Sequence, residues 1–250
     1  MSDFSHQARI DIATVFRWGA RMGFNEGVNG GHLSYQPPGW NDRYLTQPNG
    51  IHWGEVTPDN LIAVDFQGNT VEGRGKVEKA SFHIHARLHQ ARPDARCILH
   101  AHMPNSTALS IIKGARLEPI GQQSLRFYDR CAYYDEFNAL VHSDGEGERM
   151  AAALGDKAVL FLASHGVIVA GPTCGEAFDD LYYLERACMN QVQAMSTGRQ
   201  LNRIPEEIAA LSVKQYMGQR FNCELHFESL RRMLAAEDSR FRSPLAQAAE

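Results

Sequence analysis

Cys97-Ile98-Leu99-His100-Ala101-His102 decides the reading of this chain, because three apolar residues run straight into two histidines separated by one small residue. If the stretch is the end of a strand, His100 and His102 project from the same face, since side-chain direction repeats every two residues. Both imidazoles then reach one ion. A second apolar stretch, Ala158-Val159-Leu160-Phe161-Leu162 and then Val167-Ile168-Val169, encloses Ser164-His165-Gly166 at a hairpin-like tip. His165 on that tip completes a candidate metal set of His100, His102 and His165. Three neutral imidazoles suit zinc, manganese or iron and leave positions open for water or substrate, which points to chemistry rather than scaffolding.

Outward from this stretch, helix and strand signals alternate. Val77, Ala80, Ile84, Leu88 and Ala91 form a helical stripe ended by Pro93. His83, His85 and His89 ride on that helix, and His85 and His89 share one face at a spacing that suits a metal or a solvated helix surface alike. Nearer the start, Ile10, Ile12, Val15, Phe16 and Met22 predict a helix capped by Ser5 and stopped by Gly23 and the Gly27-Val28-Asn29-Gly30-Gly31 turn. His32-Leu33-Ser34-Tyr35, Arg43-Tyr44-Leu45-Thr46 and Leu61-Ile62-Ala63-Val64-Asp65 read as short antiparallel strands between Pro, Gly and Asn turns. Beyond the hairpin, Thr173-Cys174-Gly175-Glu176 has the form of a capping box opening a long helix, and Pro205 introduces further helix. The expectation is an α/β fold: a single three-layer domain over 1–250, its central, mainly antiparallel sheet flanked by helices, with a C-terminal helical extension over about 203–250.

Composition narrows the function. With 44% hydrophobic and 22% charged residues over 250 positions, the chain can bury a sizeable core, and nothing suggests disorder. A net charge of -4 with scattered basic residues leaves no footprint for nucleic acid or an anionic membrane. Five widely spaced cysteines (97, 131, 174, 188, 223) read as reduced thiols in a cytoplasmic protein, and no apolar stretch is long enough to span a membrane.

Asn29-Gly30-Gly31-His32-Leu33-Ser34, Ala91-Arg92-Pro93-Asp94-Ala95, His100-Ala101-His102 and Ser164-His165-Gly166-Val167, in that order, resemble the class II aldolase/adducin superfamily, as do Gly175-Glu176-Ala177-Phe178 and Tyr182-Leu184-Glu185. The resemblance covers roughly positions 8 to 195 and implies a metal held by the His-x-His pair and the His-Gly turn. It also implies a homotetramer with sites near subunit interfaces. Sugar-phosphate aldolases of the family carry a carboxylate nineteen residues before the first metal histidine, and here that count lands on Ser81, preceded by Lys79 and Ala80. The missing carboxylate and phosphate cradle argue against a sugar phosphate. Gln123-Ser124-Leu125-Arg126-Phe127-Tyr128 and Ala132-Tyr133 look like the adducin-like bacterial branch, whose relatives include decarboxylases of aromatic acids, an iron oxygenase type and non-catalytic adducin heads.

Glu78, one helical turn before Ser81, can supply the lost carboxylate if the backbone is arranged differently; with His85 and Tyr128 it is a candidate acid/base. Arg126 can fork onto a substrate carboxylate or form a surface salt bridge. Asn29, Ser34 and Ser81 are candidate pocket residues, with turn chemistry the simpler role for the first two. Tyr216 and Arg220 fall where family aldolases send a segment toward a neighbouring subunit, while Phe221, Leu225, Phe227, Leu230 and Met233 read as packing or subunit-contact residues. The expected function is a divalent-metal lyase, zinc or manganese first, in which the ion stabilises enolate-like charge as a carbon–carbon bond of a small oxygenated acid or carbonyl compound breaks. Decarboxylation is favoured over retro-aldol cleavage, because it needs no base to deprotonate a hydroxyl group. The alternatives are an Fe(II) oxygenase on the same three histidines and a non-catalytic adducin-like binding module.

Overall fold

Short apolar runs between turn residues pair into one sheet. The computed structural model describes residues 3–28, 30–138 and 143–243. Its strands are β1 (His32–Tyr35), β2 (Arg43–Thr46), β3 (Ile62–Asp65), β4 (Thr70–Glu72), β5 (Cys97–Ala101), β6 (Cys131–Tyr134), β7 (Val159–Leu162) and β8 (Gly166–Gly171). Among the described residues the helices are α1 (Asp3–Arg21), α2 (Lys79–Ala91), α3 (Pro104–Ile111), α4 (Gln122–Leu125), α5 (Asp144–Leu154), α6 (Cys174–Ser196), α7 (Glu206–Met217) and α8 (Phe221–Glu237).

The strands lie in the order β4-β3-β2-β1-β5-β8-β7-β6, and each neighbouring pair is antiparallel except β6 with β7. Alternation then divides the core. Leu33, Leu99, Ala101, Val167 and Val169 face one way and bury against Phe16 of α1, Leu181 and Leu184 of α6 and Phe227 of α8. Ile98, Leu160, Leu162 and Ile168 face the other way, against Ile84 and Leu88 of α2 and Met150 and Leu154 of α5. Each of the larger apolar side chains among them, removed from water, contributes about 1.5–3 kcal/mol. His100 alternates with Ile98 and so lies on the α2 face.

Register also fixes the two ends of the sheet. Ala101 pairs with Val167, Leu162 with Gly166 and Tyr134 with Leu162, so the carboxyl ends of β5, β6 and β7 meet the start of β8. Cys97, Gly171, Val159 and Cys131 mark the opposite end.

Two local expectations are corrected. α1 already includes Asp3, so Ser5 lies within the helix and does not cap it, since a cap precedes the first helical residue. At α6, Thr173 accepts from the Glu176 amide at 3.0 Å, but Glu176 does not close the box: its carboxylate takes the Arg220 Nε at 2.6 Å. The strands β4 and β6 and the helices α3, α4 and α5 add to the elements read from the sequence.

Candidate metal centre

β5 delivers His100 and His102 to the upper end of the sheet, and the turn between β7 and β8 delivers His165 beside them. One ligand nitrogen from each of the three lies within 4.8 Å of the others. The turn is built for this: Ser164 takes a left-handed φ of 56°, its amide donates to Ser110 O at 3.0 Å, and the His165 amide donates to Leu162 O at 3.1 Å. A non-glycine residue in that region is strained and persists only where its surroundings hold it. Next door, a Cβ on Gly166 would meet Ala101 O at 2.6 Å and the His102 ring at 2.9 Å, so β8 can pair this close to the histidines only with glycine.

The back nitrogens of the first two rings are already engaged. His100 Nδ1 donates to Val167 O at 3.0 Å and His102 Nδ1 to the Glu26 carboxylate at 3.0 Å. With those protons placed at Nδ1, both Nε2 atoms carry lone pairs, and they face each other at 3.0 Å. That is the separation of two ligands about 90° apart on one ion with bonds of about 2.0–2.1 Å. The donor set therefore fits a divalent cation, with His100, His102 and His165 holding it and Val167 and Glu26 fixing the rings behind it. Burial, reinforced by the His32 ring, pushes His100 well below the usual imidazole range, and burial with His102 takes His165 down to about 4. Both are neutral and ready to bind.

Glu26 reaches His102 because Glu26 and Gly30 form a two-way backbone pair at 2.8 Å, closing a tight loop. A Cβ on Gly30 would lie 2.4 Å from the Glu26 backbone oxygen. Behind the loop, Glu185 of α6 accepts from the Asn105 and Ser106 amides at 2.7 and 2.9 Å, capping α3, whose own N-cap residue Met103 offers no acceptor. This anchors the chain where it leaves His102.

A narrow crevice of about 10 Å³, room for one water-sized group such as a single substrate oxygen, lies next to the centre and is lined by Gly31, His32, Gln47, Asn49, Glu78 and Ser81. Glu78 is the N-cap of α2, its carboxylate accepting from the Ser81 amide at 2.8 Å. The backbone ahead of α2 thus brings a carboxylate to the same crevice as Ser81, the residue at the aldolase position. A larger cleft of about 420 Å³, lined in part by Ser110, Lys113, Arg116, Tyr133 and Ser164, opens on the other flank of the His165 turn.

Ser34 and His85 are buried behind this crevice, not in its wall. Arg126 and Tyr128 precede β6 and lie at the opposite end of the sheet, at least about 10 Å along the strands by the usual rise per residue. Within one chain they do not meet the three histidines. Arg126 pairs with buried Asp179 and stacks over Tyr183, with Tyr216 at 5.2 Å, in a second cleft of about 320 Å³ that also includes Cys223 and His226. Arg220 joins the same end, bridging Glu176 and Asp180. Asn29 lies outside the described residues.

Sequence reading passed over Glu26, quoted His32 only within a motif, and read His89 as a metal or solvated-surface residue, whereas it is buried against Ser34. Glu26 carried a signal in the glycine-rich loop that follows it, and His32 in its place opposite His100 in the β1–β5 register.

The fold is that of an α/β protein of the aldolase type, with three histidines placed where they could hold a metal. The family model described as "Class II Aldolase and Adducin N-terminal domain" matches residues 10–192, and the chain belongs to that family. Decarboxylase NovR of Streptomyces niveus is 34% identical over 84% of this chain and 78% of its own length. A Streptomyces roseochromogenus protein named 4-hydroxy-3-prenylphenylpyruvate oxygenase/4-hydroxy-3-prenylbenzoate synthase is 33% identical over 84% and 76%. Human beta-adducin is 33% identical over 77% of this chain, which spans only 28% of that longer protein. Among solved structures, an aldolase II superfamily protein from Pseudomonas syringae superposes with a TM-score of 0.89 at 30% identity, covering 96% and 97% of the two chains. L-fuculose 1-phosphate aldolase from Glaciozyma antarctica gives 0.81 at 28% identity, covering 93% and 91%.

Proposed function

We propose that this chain is a divalent-metal lyase that cleaves a carbon–carbon bond of a small oxygenated acid or carbonyl compound, with decarboxylation favoured over retro-aldol cleavage. The observation that carries the reading is the pair of facing Nε2 lone pairs on His100 and His102, their back nitrogens tied to Val167 and Glu26, with His165 alongside. When bound, zinc or manganese supplies Lewis acidity for the negative charge that develops as the bond breaks.

The chain's own residues supply the rest. Glu78, held at the crevice by the Ser81 amide, is the candidate acid/base for proton delivery to the product carbon. Ser81 stands where sugar-phosphate aldolases place a carboxylate, and this substitution favours a reaction that needs no deprotonated hydroxyl. His85 acts behind the crevice, through His32. Arg126 and Tyr128 serve a site only across a subunit interface, which accords with a homotetramer in which one chain's lower end meets a neighbour's centre. A cytoplasmic enzyme with a small-molecule substrate fits the net charge of -4, and no helix among the described residues is long and apolar enough to cross a membrane.

A second reading, an Fe(II) oxygenase on the same three histidines, is favoured by the name of the Streptomyces roseochromogenus relative. A non-catalytic module of the adducin kind is the third, and the retained ligand set counts against it. A panel of 2-oxo, 2-hydroxy and aromatic acids, offered to zinc-, manganese- and iron-loaded protein, separates them. Carbon dioxide or aldehyde release without oxygen uptake is expected, with Glu78→Gln lowering kcat by about 10²–10⁴-fold. Stoichiometric oxygen consumption with iron would replace the lyase by the oxygenase.

A further inference from the structure

Behind the crevice, three more histidines are joined by one serine. His32 Nδ1 lies 2.8 Å from His85 Nε2, His85 Nδ1 lies 2.5 Å from Ser34 Oγ, and Ser34 Oγ lies 2.7 Å from His89 Nε2. His32, Ser34, His85 and His89 are all buried. At one end the His32 ring leans on His100 with centroids 4.7 Å apart; at the other His89 stacks on Tyr44 at 5.3 Å.

Proton counting leaves few states for this line. A neutral imidazole carries one N–H and one lone pair, and a hydroxyl has one proton to give. Burial pushes His85 and His89 down to about 3, so both rings are neutral. Each of the three contacts needs one proton between its two atoms, since two lone pairs or two N–H groups face to face repel. A register in which Ser34 accepts from both His85 and His89 leaves its buried hydroxyl proton with no acceptor, since those two rings are what Ser34 Oγ meets among the described residues. Two registers satisfy all three contacts and also give that proton an acceptor. In one, every ring is protonated at Nδ1 and His32 turns a lone pair toward the crevice. In the other, every ring is protonated at Nε2, Ser34 donates to His85, and His32 turns an N–H toward the crevice.

His89 Nδ1 decides between them. It is buried, and although the Ala95 backbone is near enough to act on the ring, no acceptor meets Nδ1 in hydrogen-bonding geometry. A buried N–H without an acceptor is rarer and more costly than an unused lone pair, so Nδ1 is the unprotonated nitrogen.

We propose that His32, His85, Ser34 and His89 form a buried hydrogen-bonded line locked in the Nε2–H register, which makes His32 a fixed neutral donor toward the substrate in the crevice. The line exists whatever the reaction; its catalytic use rests on the lyase reading. His32 is the group that meets substrate oxygen where charge develops. His85, Ser34 and His89 are positioning residues that choose its tautomer. The line does not conduct protons, because its far end, His89 Nδ1, meets no group that could give or take one.

Nitrogen-15 NMR of histidine-labelled, zinc-loaded protein, assigned with single His→Gln variants, reads the tautomers directly. Nε2–H signals are expected for His32, His85 and His89, against Nδ1–H for His100 and His102. Ser34→Ala should release the His32 tautomer preference and lower kcat on the order of tenfold with KM and metal content unchanged, and Ser34→Thr should restore both. His89→Gln gives a second cut in the line should Ser34→Ala fold poorly. Nδ1–H or cationic signals at any of the three rings, or a His32 signal indifferent to both variants, would overturn the proposal. Protein that binds no metal yet shows the three Nε2–H signals would sink the lyase reading and leave the line standing.

Discussion

Two sets of three histidines share one face of the sheet and do opposite things with the same side chain. His100 and His102 each spend one nitrogen on a fixed protein acceptor and turn the other, with His165, toward a common point. His85, centred in the other set, spends both nitrogens on neighbours, and nothing of it is left for a ligand. What separates an ion-binding imidazole from a positioning one is therefore the partner of its second nitrogen, together with access to the site opening. Spacing alone does not distinguish them: the i,i+4 pair His85 and His89 looks as suited to a metal as His100 and His102 do.

The sharpest way to break this contrast is to exchange the consequences. His100→Ala should cost the ion and at least about 10³-fold in turnover, whereas His89→Gln should leave one ion per chain; plasma mass spectrometry beside turnover assays reads both. If His89→Gln also empties the site, the two sets are one. Next in size is Glu26→Gln, which keeps the shape but weakens the acceptor behind His102. A loss of about 10–100-fold in zinc affinity is expected from competition with a chromophoric chelator, and an unchanged affinity would remove Glu26 from the centre.

Acid sharpens the comparison from the side of stability. His85 and His89 fall to about 3 in the folded protein, against about 6.5 in the unfolded chain. Between those values the unfolded state binds more protons, so stability is complete above about pH 6.5 and is lost as pH drops toward 3. Each ring adds a slope of up to about 1.4 kcal/mol per pH unit. Urea midpoints of metal-free protein at pH 7.5, 6 and 5 should fall steeply, and less steeply for His89→Gln; equal slopes would mean that His89 is not buried neutral. The smallest effect belongs to Ser34→Ala, which strips a hydroxyl from between two buried rings and should lower stability by about 1–3 kcal/mol in denaturant titration at pH 7.5.

The clustering of His100, His102 and His165 was legible in the sequence because strand alternation and a turn between two apolar runs carry their geometry locally. The strands β1, β2, β3, β5, β7 and β8 were legible for the same reason, as was α6 behind its Thr173 cap. β6 was not, since it is half-buried along its length at the sheet edge and shows no alternation. Nor could the sequence say which way the histidine face of α2 points. Only the packing of α2 over β1 aims His85 and His89 at Ser34. Glu26 was hidden because its contact with His102 is a loop contact, made possible by Gly30. Arg126 and Tyr128, plausible beside a carboxylate on residue type alone, are separated from the histidines by the strand direction of β6, which no local pattern reveals.

The central claim is that His100, His102 and His165 hold one divalent ion. Metal analysis of protein purified without added ions, native beside His165→Ala, tests it most directly. About one zinc or manganese per native chain, lost in the variant, is the predicted result. No bound metal in the native chain even after reconstitution, or equal metal in both proteins, would contradict it.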